Sequence, residues 1–586
     1  RSLITLDNKN YNYHNSLANV LKEQGKFSEA IFFYKKALEI NSNNPEVYIN
    51  YASVLKSLNE LDKGAELIKR AISLNPSKEI KLVAFNNLGN IFRQKRDSFN
   101  AFENYKNALK IDSNYLLTLY NIAILYEDLR DYSSALRFHR KIINSHKNFS
   151  YSLGKILALE RYICDWSNFE KIRQIDKETI LNLYKLNPRD SFYLFDDPKL
   201  DLKIAKCFCH ENFKKKTKKP KLNRKSKIRI GYFSADFRYH PVAILLSKVL
   251  ELHNRDEFEI FAYSFGYFDD DIYTKKIKRV VDQFREVNQL SDEELLKTVR
   301  DDDIDLAIDL MGHTEFSRTS IFSLRVAPVQ INYLGFSGSM GAEFIDFIIA
   351  DKELIHQDER DLYTEKILYL EKCALCFDDT LKRKNQEFTR VEKVVPNNKF
   401  TFVCFNNNYK ISPEEFDIWM NLLKRVEDSC LWLKASNEFA KNNLIKEAFK
   451  RGISDKRLIF AEYTDFENHL KRHSEADLFL DTFNYNSGST AVISLLSGLP
   501  LLTLKGKSYH SRMASSLLKS INLDELIANS KNEYEEKAYL LATNPEKLMQ
   551  IKLKLKSNLR ESKIFSSSSF TKELELTYKK AYYLNT

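Results

Sequence analysis

Along the first 150 residues, small side chains recur at fixed intervals. Ala18, Ala52, Gly89 and Ala123 are spaced by 34, 37 and 34 residues, and two further sets, Ala30, Gly64, Ala101, Ala135 and Ala37, Ala71, Ala108, Ile142, repeat the same steps. Aromatic and leucine positions fall between them. This pattern describes helix pairs that cross at the small residues and bury their faces only by stacking on neighbouring pairs, which predicts a superhelical solenoid with a concave inner surface. The 37-residue step predicts a three-residue insertion in the loop around Pro76 to Lys81. From Tyr151 to about Pro220 the pattern stays helical but loses the repeat, and it includes a loop, NPRDSFYLFDDP, ending at Pro198. From Ile228 onward, short apolar runs alternate with helical stretches, which predicts parallel sheets covered on both faces. Strands are predicted at 228–234, 258–264, 304–311, 329–334, 345–350 and 367–370, and again at 401–405, 430–433, 457–461, 478–481 and 500–504.

A 34-residue helical period is the tetratricopeptide signature. Its groove binds peptides or proteins; Asn19, Asn50, Asn86, Asn87 and Asn121 are candidates to bond a ligand's backbone amides there, and equally candidates merely to solvate helix faces. The predicted organisation is a tetratricopeptide array at 1–150, a helical connector at 151–226, an α/β lobe at 227–372, a charged bridge at 373–398, and a second α/β lobe with C-terminal helices at 399–586. A chain of 586 residues has length enough for several cores. The net charge of +11 is a modest surplus, much of it in the run Lys214 to Lys227, and argues for an exposed linker more than for a nucleic-acid surface. No apolar run approaches 18 residues and no signal pattern opens the chain, so neither membrane insertion nor export is expected. Seven cysteines form no disulfide framework and suit a reducing, cytoplasmic compartment; Cys373 and Cys376 make one CxxC without a second pair, which reads as two buried thiols and not as a metal site. The chain begins at Arg1, which leaves room for a leader or further repeats ahead of it.

The candidate chemistry falls at strand ends, where open α/β sheets bind ligands. TFVCFNNNYKI (401–411) reads as a buried strand running into a polar loop and then into a helix capped by Ser412 with Pro413 in its first turn, which places Lys410 where a phosphate could sit. A lone lysine in such a loop is more often ordinary surface, so other segments have to converge on it. In the second lobe, Asp481-Thr482 leads through FNYNSGST into a helix whose first amides, at Gly488, Ser489 and Thr490, form an anion site by geometry. His469 and Arg472 lie three apart on one helical face. In the first lobe, His240 directly precedes a helix start, His313 and Thr314 follow the third strand, and a loop rich in glycine and hydroxyls, Gly335 to Gly341, offers backbone amides for close approach. Taken singly, His240 or His313 is more often a satisfied structural histidine. No segment matches GxGxxG or GxxxxGK[ST], which disfavours ATP-type phosphate binding.

The segments IGYFSADFRYHP, DLMGHT, RVAPVQINYLGFSGSMGAEFIDFIIAD, CFNNNYKI, WMNLLKRVEDSCLWL, HLKRHSEADLFLDTFNYNSGST and GLPLLTL, in this order after the repeats, resemble the O-linked N-acetylglucosamine transferase family, with its SPINDLY branch and bacterial members. The resemblance covers nearly the whole chain and implies two Rossmann-like lobes of GT-B type. It also implies metal-independent, inverting transfer of a sugar from a nucleotide donor, UDP-GlcNAc in most of the family, to Ser or Thr hydroxyls of proteins recruited by the repeats. No cofactor, nucleic acid or membrane partner is implied, and homo-oligomerisation is left open. By motif, His240 is the active-site histidine, as base or as hydrogen-bonding contact. Thr314 and Gly335, beside His313, line the sugar and acceptor side; Asn407 and Lys410 meet the diphosphate; His469 and Arg472 lie near the nucleotide; Ser489 and Thr490, after Gly488, cap the phosphates. Three positions depart from the family pattern: Asn407 replaces a glutamine, Phe466 a lysine beside the nucleotide, and Ile493 a ribose-binding aspartate. Diphosphate handling is thus expected intact and nucleoside recognition altered. The alternatives are a GDP-fucose-dependent O-fucosyltransferase, an asparagine-directed glucosyltransferase, which the repeats argue against, and a repeat scaffold with degenerate lobes.

Overall fold

The computed structural model describes residues 7–146, 149–183, 185–213, 218–222, 225–266, 271–380, 399–561 and 566–585. The bridge at 381–398 and part of the lysine run therefore lie outside the described residues. The chain divides into two compact units, 1–159 and 160–586.

The first unit is a stack of antiparallel helix pairs: Tyr11–Glu23 with Phe27–Ile40, Pro45–Ser57 with Leu61–Ser73, Lys78–Gln94 with Ser98–Ile111, and Leu116–Asp128 with Tyr132–Ser145. The periodic alanines are fully buried where the helices cross. A Cβ at Gly89 would lie 2.4 Å from the Tyr105 ring, so nothing larger than glycine fits that crossing without the ring moving. Side-chain caps at Asn44, Ser77, Asp97 and Asp131 start four of the helices. One expectation is corrected. The extra residues of the 37-residue step do not lengthen a loop; they extend the helix Lys78–Gln94 to 17 residues against 13 in Pro45–Ser57. The asparagines are also largely engaged within the unit. Asn86 is buried and accepts from Thr118 and Asn121 at 3.0 Å, Asn50 donates to Asn15, and Asn19 accepts from the Tyr34 hydroxyl at 2.6 Å.

Within the second unit, among the described residues, helices Phe169–Arg173, Lys177–Leu183, Pro188–Ser191 and Pro198–Asn212 precede two all-parallel sheets. The stretch expected as a loop up to Pro198 thus holds a short helix, begun by Asn187 as cap with Pro188 at its first position. The first sheet contains β1 (Ile228–Ser234), β2 (Phe258–Ser264), β3 (Gln283–Glu286), β4 (Leu306–Asp309), β5 (Val329–Asn332), β6 (Phe347–Asp351) and β7 (Lys366–Leu370), in the order β3-β2-β1-β4-β5-β6-β7. The second contains β8 (Phe400–Cys404), β9 (Ser429–Lys434), β10 (Leu458–Ala461), β11 (Leu478–Leu480), β12 (Leu501–Leu504) and β13 (Ile527–Ala528), in the order β10-β9-β8-β11-β12-β13. Each predicted run forms a strand. The two additional strands, β3 and β13, stand at sheet edges: QFRE carries too little apolar character to be read as a strand, and β13 is two residues long.

In each sheet the order reverses between the first strand and the fourth, at β1/β4 and at β8/β11, which is where doubly wound folds bind ligands. The C-terminal helix Ser567–Tyr583, grouped by sequence with the second lobe, packs on the first: Glu575 accepts from the Asn254 amide at 2.7 Å, and the Tyr578 and Tyr232 hydroxyls bond at 3.1 Å. It packs against the helix Pro241–Leu252 and β7. Among the described residues no helix is long and apolar enough to cross a membrane.

Candidate active site at two strand switch points

Four helices begin at the relevant strand ends: α1 (Pro241–Leu252) after β1, α2 (Pro413–Arg425) after β8, α3 (Phe466–Ser474) after β10 and α4 (Ser489–Leu496) after β11. Helices α1 and α4 pack against each other, so the two switch points face one crevice. Tyr239 from the first lobe and Arg472 from the second lie close enough to perturb each other's titration across it.

The loop after β8 is fixed by its three asparagines, each turned to a different neighbour. Asn406, fully buried, donates to Asp481 at 3.1 Å and Thr482 at 2.9 Å and accepts from Ser487, tying β8 to the turn that leads into α4. Asn407 donates to the Tyr409 hydroxyl at 2.8 Å and accepts from Lys434 at 3.0 Å. Asn408, also buried, donates to the Tyr162 carbonyl at 2.8 Å and accepts from the Ser436 amide at 3.1 Å, while Cys164 donates to its carbonyl at 3.6 Å. The connector therefore clamps the loop from outside the lobe. A short 3-10 turn, Asn408–Lys410, then leads to the Ser412/Glu415 capping box and Pro413, as the sequence predicts.

Lys410 emerges from this turn half-buried. Its ammonium donates to the Asn486 carbonyl at 2.9 Å and lies 3.8 Å from the Tyr485 ring centroid. Desolvation pushes it down to about 8, partly offset by Asp481. Asp481 itself accepts from Ser487 and Thr503 and holds the turn before α4. Gly488 is the N-cap of α4, and the half-exposed Ser489 and Thr490 occupy its first positions. The lysine and the helix terminus thus stand on adjacent strands, a cation beside free amides, which is an arrangement suited to an anion.

On α3, His469 and Arg472 do share a face: Arg472 Nε donates to His469 Nδ1 at 2.8 Å and Arg472 reaches the Glu462 carbonyl at 2.9 Å. Burial, with His473, Arg472 and Lys434 nearby, drives His469 down to about 2. The ring is neutral, and with Nδ1 accepting, its hydrogen is on Nε2. Phe466 and Ile493 are both buried apolar side chains in the core of the second lobe.

The first-lobe residues behave differently. His240 is the N-cap of α1, its Nδ1 accepting from the Val242 amide at 3.3 Å with Asp236 at 3.4 Å. Burial lowers its pKa against the pull of Asp236. His313 lies fully inside, between Phe208 and Phe336, with Nε2 bonded to the Met340 carbonyl at 2.8 Å and its pKa lowered to about 4 by burial. Thr314 bonds back to the Met311 carbonyl at 2.8 Å. Gly335 allows the loop after β5 to cross the end of β4, since a Cβ there would sit 1.8 Å from the Leu310 carbonyl oxygen. The expectation that the 335–341 loop offers its amides to a ligand is corrected at Met340 and Gly341, whose amides are taken by buried Glu365 and by Ser339.

Sequence reasoning missed Lys434 and Asn408 as site residues. A strand-terminal lysine in CLWLKAS carries no local signal; only β9 lying beside β8 brings it to Asn407.

A family model described as glycosyl transferase family 41 matches residues 198–382 and 378–574, and tetratricopeptide models match 11–44 and 33–65. A probable UDP-N-acetylglucosamine–peptide N-acetylglucosaminyltransferase of Arabidopsis thaliana is 33% identical over 367 residues, 61% of this chain and 37% of that protein. The UDP-N-acetylglucosamine–peptide N-acetylglucosaminyltransferase of Caenorhabditis elegans is 23% identical over 543 residues, 70% of this chain and 47% of that protein. The chain thus spans less than half the length of these relatives. The solved structure of a Thermobaculum terrenum O-GlcNAc transferase mutant superposes with a TM-score of 0.67 at 23% identity, covering 92% of this chain and 98% of that one; it shares the fold, a helical solenoid followed by two Rossmann-like lobes of GT-B type.

Proposed function

This chain belongs to glycosyl transferase family 41, and on that premise we propose that it transfers N-acetylglucosamine from UDP-N-acetylglucosamine to Ser and Thr hydroxyls of protein acceptors brought in by the repeats. The names of the two relatives support the donor and the peptide acceptor. Lys410 beside the α4 N-terminus is the observation that carries the reading. In the transfer, the acceptor oxygen bonds to the anomeric carbon while the bond to the nucleoside diphosphate breaks, with inversion, and the hydroxyl proton passes to a phosphate oxygen of the departing diphosphate. The departing diphosphate gains negative charge, which Lys410 and the amides of Gly488 to Thr490 are placed to stabilise. Asn407 holds the near side of the same anion, and Arg472 with neutral His469 faces the nucleoside.

His240 serves as a hydrogen-bonding contact to substrate. Its Nδ1 side is taken by the Val242 amide and Asp236, which leaves Nε2 for the substrate. Thr314 and Gly335 shape the acceptor side, with His313 supporting them from beneath. Seven free cysteines support a reducing compartment, and we place the activity in the cytoplasm.

The test is incubation of the full chain with UDP-GlcNAc, GDP-fucose or UDP-glucose and a protein extract. Released nucleotide is followed, and modified proteins are read by mass spectrometry. UDP release with N-acetylhexosamine on Ser or Thr supports the reading. GDP release with fucose on the acceptor replaces the donor, and no release from any donor leaves a protein-binding scaffold.

A further inference from the structure

We propose that Lys434, at the end of β9, is a second phosphate-binding cation of the donor site: Lys410 and α4 hold the leaving phosphate, and Lys434 holds the phosphate on the nucleoside side. This rests on the nucleotide-sugar reading above and extends it to a residue outside the family motifs matched in the sequence.

Three observations carry it. The sheet order sets β10, β9, β8 and β11 side by side, and their carboxyl ends supply in turn Arg472 and His469, then Lys434, then Asn407 and Lys410, then the α4 N-terminus. Strands in a sheet are ~4.8 Å apart, so these groups form a strip of roughly 14 Å along one crevice. The strip is cationic at more than one point, and Asn407 sits in the middle. Its amide oxygen accepts from Lys434 at 3.0 Å, and the 3-10 turn that follows it carries Lys410.

Lys434 also differs from several half-buried lysines in what surrounds it, a setting it shares with Lys410 and, in the first unit, with Lys56. Lys276 pairs with Asp378 at 2.7 Å, Lys225 with Asp305 at 3.0 Å and Lys505 with Glu353 at 2.6 Å. Among the described residues, Lys434 is bonded instead to a neutral amide, and the charge acting on it is a second cation, Arg472, which together with desolvation lowers its pKa. A desolvated cation beside another cation is costly to fold and becomes favourable when an anion binds between them. The third observation is the neutral His469: with Nδ1 taken by Arg472, its hydrogen is on Nε2, so beside Arg472 it adds a donor without a further charge. An extended nucleoside diphosphate, with two phosphates in line and an uncharged nucleoside at one end, matches that sequence of groups.

The experiment measures dissociation constants of UDP and UMP, and of GDP and GMP, by calorimetry for the full chain and for Lys434→Met, Lys434→Arg and Lys410→Met, with thermal unfolding as a check on folding. The nucleoside-side phosphate is common to di- and monophosphate. Lys434→Met is therefore expected to weaken both about tenfold, Lys434→Arg to restore most of the affinity, and Lys410→Met to weaken the diphosphate alone. Equal affinities for Lys434→Met and the unaltered chain overturn the proposal while the nucleotide-sugar reading stands. Loss confined to the diphosphate in Lys434→Met overturns the assignment of the phosphate. If the unaltered chain binds none of the four nucleotides, the underlying reading fails first, and the proposal with it.

Discussion

The two sheets share a strand order and a switch point, yet the residues standing at those points have opposite character. At β1/β4 two histidines and a threonine bond to backbone atoms and Arg238 is paired with Asp236, while at β8/β11 and the strands beside it stand Lys410, Lys434 and Arg472, none bonded to a carboxylate, and a helix terminus without a side-chain cap. Topology therefore supplies two equivalent strand switch points facing one crevice, and the side chains make them differ. A departing diphosphate needs positive charge already in place. An approaching hydroxyl needs orientation without a competing cation. Both helices at the boundary, α1 and α4, present N-termini there, so the difference comes from the lysines and arginine and not from helix dipoles alone.

Removing the strongest feature on the cationic side should have the largest effect. Lys410→Met is expected to lower turnover about a hundredfold or more with little change in the unfolding temperature, measured by nucleotide release. Near-normal turnover in that variant would erase the contrast between the lobes. The same lysine predicts a pH dependence. Its folded-state pKa, about 8, lies below the ordinary lysine value, and the protonated form is the useful one, so kcat/KM should fall as pH rises through about 8. At pH 9 the loss should be about tenfold, and a flat profile up to pH 10 would exclude Lys410 as the titrating charge.

Asn408→Ala frees the catalytic loop from Tyr162 and Ser436 without touching a charge. An about tenfold drop in kcat/KM, equal to ~1.4 kcal/mol, is expected together with a lower unfolding temperature. An unchanged kcat/KM would show that the connector does not position the loop. On the neutral side, His240→Asn keeps a residue able to cap α1 and should cost only about fivefold, leaving the pH profile in place. A thousandfold loss would instead make His240 the base. The smallest catalytic effect belongs to His313→Leu: stability falls by about 1 kcal/mol through the lost bond to the Met340 carbonyl, while turnover per folded molecule is retained.

Much of this molecule was legible in the chain because the relevant signals are local. The repeat period is written in small residues that must vanish into helix crossings, and each sheet's inner strands are apolar runs buried on both faces. Helix starts after His240 and Ser412 follow from caps and proline placement, which act over a few residues. Local reading failed where the partner is distant. Nothing near Asn406, Asn407 and Asn408 says that one turns to Asp481, the next to Lys434 and the third to Tyr162, across 75, 27 and 246 residues. Nothing near His313 distinguishes a buried ring from an exposed one, and the long helix Ser567–Tyr583 carries no mark of the lobe it covers.

The sequence by itself determined which elements form and that cations and amides collect at strand ends, since periodicity, capping and strand polarity are properties of short segments. The tertiary structure decided which of those charges stand side by side and which histidines are packed inside. Desolvation and pairing depend on neighbours that only the order of strands in the sheet brings together.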